Sequence, residues 1–215
     1  MKVRKIEPKI KFKKTYKPIV LEGGAIDVNG KGSILLTEEC LLSTTQQRNK
    51  GFKKKDYEKY LSKLLNITNF IWLKKGIEGD DTHGHIDDIS RFVSENTIMT
   101  AVEKNKNEKN FQILNDNLII LKKVKNKNKK KFKIIKIPMP KPIFIDNIKV
   151  PASYLNFLIT NKTVLVPIFE DKNDIKVIRI FKKFFKKRKI IGINCKKLIW
   201  GFGAIHCMTL QEPSI

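Results

Sequence analysis

The sequence predicts an α/β protein assembled from a repeated ββαβ unit, and three observations carry that prediction. Hydrophobic residues make up 41% of the 215 residues, enough to bury a substantial core. Apolar runs of strand length alternate with stretches of helical period. The order strand, turn, strand, helix, strand also returns three times, each pass taking roughly 65 residues, the length regime of modules that stack or ring up instead of standing alone.

The first unit opens with a strand from Val20, turns at Asn29-Gly30-Lys31-Gly32 and returns as a strand over Ser33 to Leu36. A lysine-rich helix around Lys54 to Leu65 and a short strand at Phe70 to Leu73 complete it. In the second unit, strands over Ile86 to Val93 and Thr97 to Val102 flank a turn at Ser94-Glu95-Asn96, and a helix near Glu108 to Leu121 leads to a strand over Phe132 to Ile137. In the third, Tyr154 to Ile159 and Val164 to Ile168 flank Thr160-Asn161-Lys162. Asn173 to Lys186 then form an amphipathic helix with Ile175, Ile178, Phe181 and Phe185 on one face, and Lys189 to Ile193 close the unit. Between the second and third units, Leu121 to Lys133 reads as a solvated lysine loop, because a nucleic-acid patch would interleave aromatics and arginines. Pro138, Pro140, Pro142 and Pro151 read as a rigid surface crossing. Residues 1–19 form a basic N-terminal segment ahead of one domain spanning residues 20–215.

Lys and Arg number 45 against 21 Asp and Glu, a formal net charge of +24 that first suggests a polyanion partner. The excess is mostly lysine scattered through every segment, while arginine, the residue of bidentate phosphate and base recognition, is scarce. No specific nucleic-acid partner is therefore expected. No apolar run approaches the ~20 residues a spanning helix needs, so no membrane is expected either. The basic N-terminus lacks the apolar stretch of a signal peptide. Cys40, Cys195 and Cys207 share no paired spacing, which predicts free thiols in a reducing, cytoplasmic compartment.

Residues able to do chemistry collect at the joints between units. The first joint, GIEGDDTHGHIDDISRF, packs five acidic residues, two histidines and three glycines ahead of an apolar strand. With a strand beginning at His85, alternation puts His85 and Asp87 on one face, where an imidazole and a carboxylate suit general acid/base work. The plain alternative is a surface histidine near a carboxylate. His83 and His85 with the neighbouring acids are also possible metal ligands, although zinc would want a third strong ligand at a readable spacing and none is evident. At the C-terminus, GFGAIHCMTLQEP sets Cys207 after Gly201 and Gly203 and beside His206. Glycines permit close backbone approach, and a neighbouring imidazole lowers a thiol's pKa, so Cys207 reads as a nucleophile. Cys40 and Cys195 read as small buried hydrophobes. LEGGAIDVNGKG, from Leu21 to Gly32, is a glycine-rich hairpin without a phosphate-loop pattern, and its Glu22 is placed to project into a cleft.

Four segments, LEGGAIDVNGKGSILLTEECLL, WLKKGIEGDDTHGHIDDISRF, PASYLNF with VLVPIFED, and GFGAIHCMTLQEP, resemble in order and spacing the motifs of the agmatine deiminase and Porphyromonas-type peptidyl-arginine deiminase family. The resemblance runs from about Val20 to the C-terminus. It implies the pentein fold, a five-fold pseudosymmetric α/β propeller of ββαβ modules, of which this chain would hold about three and a half, lacking the N-terminal part. It implies a hydrolase in which Cys207 attacks the guanidinium carbon, His85 protonates the leaving ammonia and later activates water, and Asp87 grips the guanidinium nitrogens. Glu22 would keep His85 protonated, and Asp80, Asp81 and Gly203 would shape the substrate pocket. The expected reaction turns agmatine and water into N-carbamoylputrescine and ammonia, on the route to putrescine, with no metal and no organic cofactor. Agmatine-specific members carry asparagine where Ala204 stands, so arginine and peptidyl-arginine are alternative substrates. The family's arginine-aspartate-x-glycine-proline segment has no counterpart here, so a homo-oligomer, a complementing N-terminal chain or an inactive remnant are further expectations.

Overall fold

The computed structural model describes residues 19–211, so the basic segment assigned to residues 1–19 lies, but for its last residue, outside them. Three sheets of identical topology appear in sequence. In each, the first two strands form an antiparallel hairpin, and the second is central, pairing in parallel with the strand that returns after a helix. The first comprises β1 (Asp27–Val28), β2 (Ser33–Thr37), a short α1 (Glu38–Leu42), α2 (Lys54–Leu65) and β3 (Asn69–Leu73). The second comprises β4 (Ser90–Ser94), β5 (Thr97–Val102), α3 (Lys109–Lys123) and β6 (Lys133–Pro138). A separate hairpin of β7 (Ile143–Ile145) and β8 (Ile148–Val150) precedes the third, built of β9 (Leu158–Ile159), β10 (Thr163–Ile168), α4 (Asn173–Phe184) and β11 (Lys189–Asn194).

Local chemistry explains the boundaries. Asp56 accepts a hydrogen bond from the Lys53 N–H at the start of α2, and Asn66 ends that helix in the left-handed region at φ 54°. Thr37 caps α1 by accepting from the Cys40 N–H. The central strand β2 is buried along its whole length: Ile34 and Leu36 pack with Tyr57 and Leu61 of α2, while Leu35 faces the larger core shared with the other two sheets. Strands covered on both faces read as continuous apolar runs, as SILLT does.

Several expectations need correction. The strand expected from Val20 is a 3-10 turn at Gly23–Ala25 followed by the two residues of β1. The strand expected over Ile86 to Val93 begins only at Ser90, after a 3-10 turn at Ile86–Asp88, so strand alternation is not what brings His85 and Asp87 together. Tyr154 to Phe157 are irregular because their backbone groups serve other partners: the Leu155 and Phe157 carbonyls accept from Arg91, and the Leu155 N–H donates to Ser153. The proline-marked crossing contains the β7–β8 hairpin, whose Asp146 and Asn147 have φ of 48° and 63°, the backbone of a two-residue turn of the hairpin type. On α4, Ile175 is 65% exposed, and Val177 joins Phe181 in the core instead. Of the loop expected over Leu121 to Lys133, the lysines are exposed, while Leu121 to Lys123 finish α3 and Leu121 and Phe132 are buried; its turn is held by the Asn126 side chain, which accepts from the Asn128 and Lys130 N–H groups. Among the described residues no helix is long and apolar enough to cross a membrane.

The repeat also decides where chemistry can gather. Glu22 precedes β1, His85 and Asp87 precede β4, and Asn156 precedes β9, each at the lead-in to a module's hairpin. Cys207 follows β11, in a 3-10 turn at His206–Met208. The turn at Gly23–Ala25 packs on both of the others.

Candidate active site

These lead-ins surround one cleft of about 390 Å³, whose lining includes Glu22, Gly24, Asp81, His85, Asp87, Gly203, His206 and Cys207. Gly24 lies where His85 and Asp87 close on the backbone. A Cβ there would sit 2.5 Å from His85 Nδ1 and 3.0 Å from Asp87 Oδ2, so no larger residue fits without displacing both. Gly203 is equally tight against Cys207, with a virtual Cβ 2.7 Å from the Cys207 Cβ.

Asp87 is fully buried, and its two oxygens have different fates. Oδ2 accepts from His206 Nδ1 at 2.7 Å, from Asn156 Nδ2 at 3.3 Å, and lies 3.6 Å from Cys207 Sγ. Oδ1 has no partner, and neither do Glu22 Oε2 and His85 Nε2. Two of these atoms are carboxylate oxygens, which call for a ligand with several N–H groups, since an unpaired buried polar atom costs free energy. Asp88, next in the chain, is buried too; its carboxyl is pushed well above the usual range by burial and by the charge of Asp87. Burial, then Asp87 and Asp88, also hold the Cys207 thiol above its ordinary pKa. The sequence argument that His206 would lower that pKa is corrected here, because its imidazole is turned onto Asp87.

Glu22 sits 3.9 Å from His85 Nε2, as the resemblance implies, but its nearest charged partner is Arg48, whose Nε donates to Oε1 at 2.7 Å. Burial pulls the Glu22 carboxyl up, yet the Arg48 hydrogen bond and charge outweigh it, leaving it below the ordinary carboxylate value. Arg48 is itself fixed by the carbonyls of Cys40, Gln46 and Thr82, at 3.3, 3.4 and 2.6 Å. Asp80 stands behind the cleft wall and not on it. Its Oδ2 accepts from the Gly84 and His85 N–H groups and its Oδ1 from Thr82, so it shapes the loop that presents His85. Asp81 is exposed at the rim. His83 is turned away to Gln46 and is no partner of His85 in a metal pair. Glu22, Cys40 and His85 bring one donor atom each within 4.8 Å, as do Asp87, Asp88 and Cys207. A cation at the first set would face the Arg48 guanidinium already held by Glu22. Cys40 and Cys195 are buried free thiols, pushed up to about 12 and about 11 by burial.

Sequence reasoning missed Asn156 and Arg48, and set the His206 imidazole on Cys207 where the structure sets it on Asp87. Asn156 lay inside a quoted motif, PASYLNF, with no chemistry assigned to it, and that unexplained polar residue among apolar ones was the available signal. Nothing local marks Arg48, whose two shortest hydrogen bonds go to Glu22 and the Thr82 carbonyl, 26 and 34 residues away.

A family model described as Porphyromonas-type peptidyl-arginine deiminase matches residues 2–213. The chain belongs to that family. Among the family's relatives, a protein provisionally named agmatine deiminase in Marinomonas sp. (strain MWYL1) is 34% identical over 215 residues, covering 92% of this chain and 58% of its own length. A solved agmatine deiminase of Enterococcus faecalis is 32% identical with a TM-score of 0.84, covering 91% of this chain and 57% of that one. A cysteine-to-serine variant of Campylobacter jejuni agmatine deiminase, solved with substrate bound, is 30% identical with a TM-score of 0.81 over 89% and 55% of the two chains. This chain thus spans little more than half the length of the family members it matches, and it shares with them the mixed α/β pentein-type fold.

Proposed function

We propose that this chain carries the active site of an agmatine deiminase, a hydrolase converting agmatine and water into N-carbamoylputrescine and ammonia through a covalent intermediate on Cys207. One observation carries the reading: Asp87, fully buried, keeps Oδ1 unpaired while its other oxygen lies 3.6 Å from the Cys207 thiol. A guanidinium supplies both the positive charge and the planar N–H pair such a carboxylate lacks, and binding there brings its carbon to the sulfur.

The chemistry follows from the surrounding groups. In the free site, burial and two carboxylates disfavour the Cys207 thiolate. A bound cation offsets those carboxylates, so the nucleophile forms when substrate is present. The sulfur attacks the guanidinium carbon, His85 gives a proton to the departing nitrogen, and the C–N bond breaks to release ammonia, leaving an S-alkylthiouronium. His85 then takes a proton from water, whose oxygen attacks the same carbon; the S–C bond breaks, the added oxygen gives up its remaining proton to solvent, and the thiolate and the ureido product are released. Glu22 Oε1, 3.9 Å from His85 Nε2, is placed to hold the imidazole for the first transfer. Asp81 and Gly203 border the path of the substrate's remaining chain.

Among the described lining residues there is no lysine or arginine to meet an α-carboxylate, which supports agmatine over free arginine. Peptidyl-arginine, whose carboxylate is tied up in an amide, is the alternative, and the family's description supports it. A reducing cytoplasm suits a free nucleophilic thiol.

The test is ureido-product formation from agmatine by the purified chain, beside Cys207→Ala, with arginine and an arginine peptide as competitors. Turnover from agmatine that drops at least ~10⁴-fold in the variant is expected, the scale on which removal of a nucleophile acts. Undiminished turnover by Cys207→Ala would remove the cysteine from the mechanism. Preferred turnover of the peptide would replace agmatine as substrate.

A further inference from the structure

Asn156 has no exposed surface, yet it touches the cysteine and both neighbouring carboxyl groups. Its Nδ2 lies 2.9 Å from Cys207 Sγ, 3.0 Å from Asp88 Oδ1 and 3.3 Å from Asp87 Oδ2. Its Oδ1 accepts from the Cys207 N–H at 3.2 Å, and its main-chain carbonyl accepts from the His206 N–H at 3.0 Å. The amide orientation is dictated by this ring of partners. Flipped, it would set its oxygen against two carboxylates and its NH₂ against the Cys207 N–H. We propose that Asn156 is the positioning residue of the nucleophile, holding the Cys207 backbone through its oxygen and favouring the thiolate through its N–H donors.

The physical argument is one of preference between two protonation states. A neutral thiol accepts hydrogen bonds weakly, whereas a thiolate beside an N–H gains a charge-assisted bond. A hydrogen bond that strengthens on ionisation lowers the pKa of the group accepting it. Asp87 and Asp88 push the thiol the other way, and Asn156 is the side chain that opposes them, beside the Ala204 backbone. Two amide hydrogens shared among three acceptors also let the donor move from a carboxylate to sulfur without a change of rotamer.

This inference rests on the reading of Cys207 as nucleophile, and its test is independent of turnover. The rate of Cys207 alkylation by iodoacetamide is measured against pH in the wild type, Asn156→Ala and Asn156→Ser, with Cys207→Ala as the blank for Cys40 and Cys195. The midpoint in Asn156→Ala is expected about one pH unit higher, with alkylation at pH 8 about tenfold slower. Asn156→Ser, which keeps a small donor near the sulfur, is expected to recover part of that loss, a result that a purely structural role does not produce. With a guanidine substrate, kcat should fall about 10²-fold while KM changes less than about threefold. An unshifted alkylation profile in folded Asn156→Ala, or a shift in Asn156→Ser as large as in Asn156→Ala, overturns the proposal, even if agmatine is turned over. A shifted profile without turnover of any guanidine sustains it while removing the deiminase reading.

Discussion

Asp88 shows how a single side chain is constrained by its neighbours at the cleft. Burial, then the charge of Asp87, raise its carboxyl well above the ordinary value, so in the folded protein it holds its proton to higher pH than in the unfolded chain. The folded state then binds more protons than the unfolded one, so stability falls as pH rises from the unfolded pKa towards the raised folded one. Asp88→Asn keeps the oxygen that accepts from Asn156 and removes this penalty. Its Tm at pH 7 should exceed that of the wild type by roughly 3–6 °C, and the difference should vanish below about pH 4. Thermal unfolding of both proteins across that range checks it, and an equal gap at all pH values would mean that Asp88 is ionised in the fold. At this scale His85, Asp87, Glu22 and Cys207 were legible because each is a reactive type in a glycine-rich joint. Asn156 was not, because an amide announces no chemistry until its partners 51 and 68 residues away are known.

Among elements, the long helices and central strands were read almost to the residue, since α2, β5 and β10 combine strong periodicity with clear stop signals. The lead-ins were misread as strands. Their apolar residues are buried without strand pairing, and their polar backbone groups are satisfied by side chains from other modules, which no local pattern reveals. Helix α4 gives a measurable case of a face set by tertiary packing. Phe181, fully buried against Phe157 at a ring distance of 4.9 Å, should cost about 3–5 kcal/mol when cut to alanine. Ile175→Ala, 65% exposed despite its helical register, should change stability by no more than about 0.5 kcal/mol. Denaturant unfolding of the two variants separates them; equal losses would return Ile175 to the core.

For the molecule as a whole, Arg91 is the joint between modules. From β4, its Nε donates to Asp27 of β1 at 2.9 Å, and its Nη1 donates to the Leu155 and Phe157 carbonyls ahead of β9 at 3.3 and 3.1 Å. Its guanidinium carbon also lies 4.9 Å from the Phe157 ring centroid. Arg91→Met leaves Asp27 buried without its cation and should cost about 3–5 kcal/mol near neutral pH. Asp27 would then keep a proton in the fold, so the loss should widen as pH rises from 5 to 8. Asp27→Asn combined with Arg91→Met should recover part of it. A single variant as stable as the wild type would show that the modules are held together by their apolar core alone.

Sequence by itself determined the repeat, the mixed α/β class, the family and the reactive residue types at the joints. Periodicity, turn chemistry and motif order are written within tens of residues, and each repeats often enough to be recognised. Only the tertiary structure decided which joints meet, that Glu22 is held by Arg48, that Asp80 supports a loop, and that Asn156 and His206 close on Cys207 and Asp87. Those contacts join residues far apart in the chain, and they exist because equivalent lead-ins of successive modules are packed onto one cleft, an outcome of core burial between sheets that no single segment encodes.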